Sequence, residues 1–231
     1  LLLEPEKLEL SRHATWILVC FFIAAFSKSA QVPFHFWLQG SMVAPTPVSA
    51  MLHSATMVKA GVFLLYVVKP VFQFHPWWQP SLTLVGALTF VWGTFWAFAQ
   101  MDLKKALAGT TTATLGLLTL ILALPGEKYH AVFVSLVLAH ALYKSALFLF
   151  VGSVEHGTGT RMLTELSGLR KKMPLTAWGF ALALISMAGF PPALSFFAKE
   201  ALLEALTESP WASSLTAAVL VSFSVHAAYC I

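Results

Sequence analysis

Four lysines of this chain stand where lysine is costly. Lys28, Lys59, Lys144 and Lys199 fall inside long apolar runs, and the first three lie about 13, 12 and 14 residues into theirs. A charged lysine at the centre of a membrane-spanning helix costs roughly 2.5–3.5 kcal/mol, so three together cost on the order of 8–10 kcal/mol. A lysine near a span end can snorkel to the interface; from mid-depth it must face another lysine, an acidic partner or water. Lysine also suits proton transfer. Burial disfavours its cation and a nearby charge can switch it, whereas arginine stays protonated. Histidines accompany the lysines. His140 lies four residues before Lys144 on the same helix face. His53, with Ser54 and Thr56, shares a run with Lys59, although six residues turn Lys59 to a different face. A neutral imidazole among hydroxyls can relay a proton through ordered water. These residue types at these depths point to proton movement.

The elements that must position them are membrane helices. Of 231 residues, 58% are hydrophobic and 10% charged, and the mean hydropathy is +0.77. A soluble domain carries about 25% charged residues, so a water-solvated globule is excluded. Two cysteines, Cys20 and Cys230, rule out a disulfide scaffold. A net charge of +4, scattered along the chain, does not suit nucleic-acid binding. No CxxC, HExxH or GxGxxG is present, so no cofactor and no metal is expected. A span needs about 20 apolar residues, and seven stretches qualify: 14–38, 47–68, 81–100, 103–124, 130–152, 174–206 and 212–231. Tryptophans 16, 37, 77, 78 and 211 sit near their ends, as an aromatic belt requires. The expectation is one all-α polytopic bundle over 1–231, an internal piece of a longer protein, since it opens on Leu and ends in apolar sequence.

Two spans should be broken. Pro33 follows Ser27-Lys28-Ser29 in the first, and Gly189-Phe190-Pro191-Pro192 interrupts the sixth. Proline removes an N–H and clashes with the preceding turn, and broken helices at membrane depth are tolerated where protein or a watery cavity satisfies the freed groups. The loops on the amino-terminal side carry Lys7, Arg12, Lys69 and Lys128. Those opposite, on side B, carry Lys104, Lys105, Arg161, Arg170, Lys171 and Lys172. This bias assigns side B to the cytoplasm, and the expected location of the multi-pass chain is the inner (plasma) membrane.

Several of these stretches together resemble one family. They are Phe26-Ser27-Lys28-Ser29-Ala30-Gln31-Val32-Pro33-Phe34-His35-Phe36-Trp37-Leu38, Ala44-Pro45-Thr46-Pro47, and His53 to Gly61. Asp102-Leu103-Lys104, His140-Ala141-Leu142-Tyr143-Lys144 and Gly189 to Glu200 add to them. They resemble the antiporter-like membrane subunits shared by respiratory complex I and Mrp-type sodium/proton antiporters. His156-Gly157-Thr158-Gly159-Thr160-Arg161 and Lys199 to Glu204 lean towards the large A-subunit branch of the Mrp type. The resemblance implies part of an inverted-repeat antiporter core with two discontinuous helices. It also implies a proton path through Lys28, His53, Lys59, His140, Lys144 and Lys199, with the glutamate that pairs with Lys28 on an earlier span. The family's Ala-Tyr-(Ser/Thr)-Thr is here Ala108-Gly109-Thr110-Thr111, which lacks the tyrosine.

The resulting expectation is a proton-translocating subunit of a multisubunit cation (sodium)/proton antiporter, with other membrane subunits, protons, a monovalent cation and the lipid bilayer as partners. The alternative is the proton-pumping subunit of complex I or of a membrane-bound hydrogenase, where partners would hold the redox groups. A membrane hydrolase is a weaker reading, because no Ser–His spacing points to Glu200 or Glu204. A purely structural subunit would not explain four intramembrane lysines.

Overall fold

The computed structural model describes residues 12–54, 56–124 and 128–207. Ten α-helices run through them: α1 (Arg12–Lys28), α2 (Phe36–Gly40), α3 (Thr46–Ser54), α4 (Met57–Phe72), α5 (Trp78–Phe98), α6 (Leu103–Ala123), α7 (Lys128–Thr158), α8 (Leu169–Lys172), α9 (Pro174–Ala188) and α10 (Leu194–Thr207). No strand forms among the described residues. The apolar stretch 212–231 lies outside them.

Helix α6 is the axis. Every residue from Ala106 to Ala123 is buried, as befits a helix apolar on all sides. Its five threonines, Thr110, Thr111, Thr112, Thr114 and Thr119, fit this setting because each hydroxyl donates to a carbonyl three or four residues back. Asp102 caps the helix start, with Oδ1 accepting from the N–H of Lys104 at 2.9 Å and of Lys105 at 3.3 Å. Helix α5 lies along α6 at very short range. A Cβ on Gly93 would stand 2.4 Å from the backbone N of Ala113, so this contact requires glycine. Helices α4 and α7 also pack on α6, α3 and α10 pack on α7, and α1 packs on α4.

Both expected breaks occur, and their backbone groups find partners. Helix α1 stops at Lys28, and Ala30 takes a left-handed φ of 48°. Trp37 Nε1 donates to Ser27 O at 2.9 Å, and the N–H of Val32 donates to Thr89 Oγ1 of α5 at 2.9 Å. Helix α9 ends at Gly189, φ 87°, in a Schellman arrangement. There the N–H of Gly189 bonds Ser186 O at 3.1 Å and the N–H of Phe190 bonds Ile185 O at 3.2 Å.

Three expectations need correction. The stretch 47–68 lies in one membrane-crossing length, Thr46–Phe72, but is built of two helices, α3 and α4, with Thr56 at φ −128°, ψ −72° before α4. Trp78 is not in an interfacial belt: it is buried, its Nε1 donating to Leu122 O at 3.4 Å. The loop after the fifth stretch begins later, because α7 continues as helix through Glu155 to Thr158.

Candidate functional site

The buried lysines share one solution, and it is not the one expected. Among the described residues, each holds at least one backbone carbonyl. Lys59 Nζ donates to Ser54 O at the end of α3, and Lys69 Nζ to Leu124 O at the end of α6, 2.8 Å away. Lys104 Nζ donates to Ala44 O between α2 and α3. Lys199 Nζ donates to Met187 O at 2.8 Å and Ala188 O at 2.9 Å, the last carbonyls of α9. Helix ends leave four carbonyls without an intrahelical partner and carry partial negative charge. An interrupted bundle therefore supplies carbonyl acceptors for cations at its helix ends. Lys144 is the exception, sitting mid-helix on α7. Its Nζ donates to Leu107 O at 2.8 Å and to Thr110 Oγ1, both on α6.

Around Lys144 three elements converge. His53 of α3 is fully buried, its ring 4.7 Å from that of Phe148 on α7, and neither ring nitrogen has a hydrogen-bond partner among the described residues. His140 lies one turn before Lys144 and meets Tyr143 edge-on at 5.4 Å. His53, His140 and Lys144 thus form the buried centre, and Lys59 joins its margin through Ser54, the residue after His53.

Two expected residues stand apart. Lys28 ends α1 with its side chain exposed. Lys199 is buried at the α9–α10 break, where Pro191 and Pro192 follow Gly189. Its neighbour Glu200 is exposed. A Cβ on Gly189 would meet Lys199 Cδ at 2.7 Å, so glycine serves both the left-handed turn and the lysine's seat.

Sequence reasoning passed over two lysines. Lys69 and Lys104 were assigned to loops, yet both lie within helices and are buried. Removing them from the loop count leaves five positive residues against three, so the charge bias keeps its sign. Proximity to Asp102 and Pro70 made them look interfacial. The only available signal for Lys104 was its place inside Asp102-Leu103-Lys104. Thr110 was likewise unassigned.

A buried polar centre inside a bundle of discontinuous apolar helices defines a polytopic membrane protein. Four helical stretches among the described residues are long and apolar enough to cross a membrane: Thr46–Phe72, Trp78–Phe98, Leu103–Ala123 and Tyr129–Thr158. The chain belongs to the NADH:quinone oxidoreductase/Mrp antiporter transmembrane family, which matches residues 2–224. It is 42% identical over 203 residues to a Na(+)/H(+) antiporter subunit A1 of Staphylococcus epidermidis, covering 82% of this chain and 25% of that protein. It is 41% identical over 221 residues to the subunit A1 of Staphylococcus haemolyticus, covering 90% of this chain and 28% of the relative. Its fold matches a chain of the Mrp complex from a Dietzia species with a TM-score of 0.90 and 39% identity, over 99% of this chain and 26% of that one. A chain of an archaeal membrane-bound sulfane sulfur reductase matches with a TM-score of 0.84 and 25% identity, over 97% and 48%. The chain thus spans about a quarter of the curated relatives it matches. It is an all-α transmembrane bundle with two discontinuous helices, part of an inverted-repeat antiporter core.

Proposed function

We propose that this chain is the proton-translocating part of a large A-type subunit of a multisubunit sodium/proton antiporter in the plasma membrane, working with other membrane subunits. The observation that carries the reading is the fully buried Lys144, held on Leu107 O and Thr110 Oγ1 with His53 and His140 beside it. The identity of about 40% to antiporter subunits supports the antiport context over the redox one.

The chemistry follows from the donor set. An ammonium on Lys144 is stabilised by a carbonyl and a hydroxyl, whereas a neutral amine there can accept a proton. Like charges in a low-dielectric cluster repel strongly. A proton arriving at His53 or His140 therefore drives one off Lys144 towards its next acceptor. Lys199, seated on the α9 carbonyls, is the exit-side station of that path, and Lys28, at the other break, is the station that pairs with the glutamate of an earlier span, with Lys59 beside His53. Moving one charge through 100 mV is worth about 2.3 kcal/mol, enough to drive exchange against a monovalent cation such as sodium.

The test is sodium-dependent proton antiport in everted membrane vesicles carrying the full-length chain in its complex. Lys144→Ala should assemble and lose transport. An assembled Lys144→Ala complex that exchanges protons at the wild-type rate would refute the reading.

A further inference from the structure

The short helix α8 and the start of α9 form an elbow on side B. Gly168 opens α8 at φ 67°, the N–H of Lys171 bonds Gly168 O at 2.9 Å, and the N–H of Met173 bonds Leu169 O at 2.7 Å. Met173, at φ −138°, ψ 67°, turns the chain, and Pro174 begins α9, where its fixed φ and missing N–H suit the first helical position. The elbow is anchored. A Cβ on Gly157 would stand 2.5 Å from Met173 Sδ, so the thioether fills the space beside the end of α7. Further along α9, a Cβ on Gly179 would meet the Phe150 ring at 2.3 Å, and Ala183 and Met187 are buried. Positions 179, 183 and 187 repeat every four residues and so share the face that α9 turns to α7.

The opposite face carries another pattern. Leu175, Trp178, Leu182 and Ile185 are all exposed, and their spacings of three, four and three make one apolar stripe. It runs ten residues, about 15 Å, or half of a hydrocarbon core about 30 Å thick. At its side-B end stand Arg170, Lys171 and Lys172, all exposed, with the Arg170 guanidinium 5.3 Å from the centroid of the Trp178 ring. The two acids between positions 155 and 173 are engaged elsewhere: Glu155 pairs with Arg161 at 3.3 Å, and Glu165 accepts from Thr160 Oγ1. Among the described residues, none of the three bases pairs with a carboxylate. A charge bias that sets orientation needs only the charges. It does not need an arginine laid over an exposed indole at the head of a stripe one leaflet deep.

We infer that the α8–α9 elbow is a binding site for one anionic phospholipid of the side-B leaflet, its phosphate held by Arg170, Lys171 and Lys172 and an acyl chain laid along the stripe. The guanidinium presents a planar fork of donors that matches phosphate oxygens, and the two ammonium groups add point charges. Trp178 holds the guanidinium through its ring face and sits one turn below Pro174, the level at which tryptophan settles between headgroups and chains. A zwitterionic lipid would cover the stripe but leave three neighbouring positive charges uncompensated, whereas an anionic headgroup answers them. Charge at one end only, above apolar surface of a single leaflet's depth, is the shape of a phospholipid. The site stands apart from the proton path, so either reading can fail without the other.

The test uses the full-length chain in its assembled complex, reconstituted in nanodiscs of equal parts phosphatidylglycerol and phosphatidylcholine. A photoreactive benzophenone side chain takes the place of Leu175, and the lipid adducts formed on illumination are counted by mass spectrometry. Phosphatidylglycerol adducts should exceed phosphatidylcholine adducts at least tenfold. Arg170→Gln, Lys171→Gln and Lys172→Gln together should bring the two lipids to within twofold of each other, and Trp178→Ala should lower the preference at least threefold. Equal adducts of both lipids on the otherwise unchanged chain would mean an ordinary lipid-facing surface. Adducts to another protein segment in place of lipid would mean that protein covers the stripe. Either result overturns the site, as does a tenfold preference that survives the triple substitution. Should the triple variant fail to assemble, Arg170→Gln alone decides: it should cut the preference at least threefold, and an unchanged ratio overturns the site.

Discussion

Replacing Thr110 by valine isolates a single hydrogen bond to the central lysine. Lys144 Nζ donates to Leu107 O at 2.8 Å and to Thr110 Oγ1. Valine keeps the branched shape and turns the hydroxyl into a methyl, so α6 and α7 stay packed while the ammonium loses one of its two acceptors. Leu107 O keeps its bond from Thr111 Oγ1 at 2.9 Å, so the backbone carbonyl is not orphaned. A hydrogen bond to a charged group contributes about 1.5–3 kcal/mol. At about 1.4 kcal/mol per factor of ten, the charged state of Lys144 becomes roughly ten- to a hundredfold less populated. Antiport in everted vesicles, followed by sodium-induced dissipation of a preformed pH gradient, should fall by that factor. Thr110→Ser should restore most of it, and Thr111→Val should keep more than half. A Thr110→Val complex that assembles and transports within twofold of wild type would show that the hydroxyl does not hold the transported proton's carrier.

Other variants probe the helix ends. Lys199→Arg keeps a charge over Met187 O and Ala188 O but cannot release a proton, so antiport should be strongly reduced between pH 7 and 9; normal transport would make Lys199 a fixed cap for α9. Gly189→Ala must adopt φ 87° and push Lys199 Cδ away. The strain alone is about 1–2 kcal/mol, and thermal unfolding of the purified complex should show it together with reduced antiport; an unchanged midpoint would contradict the close seat. The partly exposed Asp102–Arg161 pair should couple by about 1 kcal/mol or less in a double-alanine cycle on unfolding of the complex. A coupling above about 2 kcal/mol would mean that this pair, with Arg161 Nε 2.7 Å from Asp102 Oδ2, is held far more rigidly than a rim ion pair.

Much of the framework was legible in the residues. Pro33 and Gly189-Phe190-Pro191-Pro192 mark the two breaks because proline and left-handed glycine act on the backbone where they stand, whatever packs around them. The interruption between α3 and α4 carries no such residue, so the single crossing Thr46–Phe72 is legible in its apolar character but the break within it is not. Trp78 and Trp77 are adjacent and chemically alike, yet one is buried against Leu122 O and the other exposed. Neighbouring side chains on a helix point about 100° apart, and only packing decides which direction is inward.

Membrane residence, helical class and the presence of proton-competent lysines followed from the sequence alone, because hydropathy, run length and residue chemistry are local properties. The company those lysines keep was decided by tertiary structure. Lys144 finds Thr110 from 34 residues away, Lys69 finds Leu124 from 55, and Lys104 finds Ala44 from 60. Backbone carbonyls are present at every residue, and those that hold Lys59, Lys69, Lys104 and Lys199 are left without a helical partner where a helix ends or is broken, while Lys144 shares Leu107 O inside α6. No residue type announces them. Which lysine reaches which helix end, and hence that Lys104 is buried on Ala44 O, depends on how the helices pack and on nothing that a run of apolar letters records.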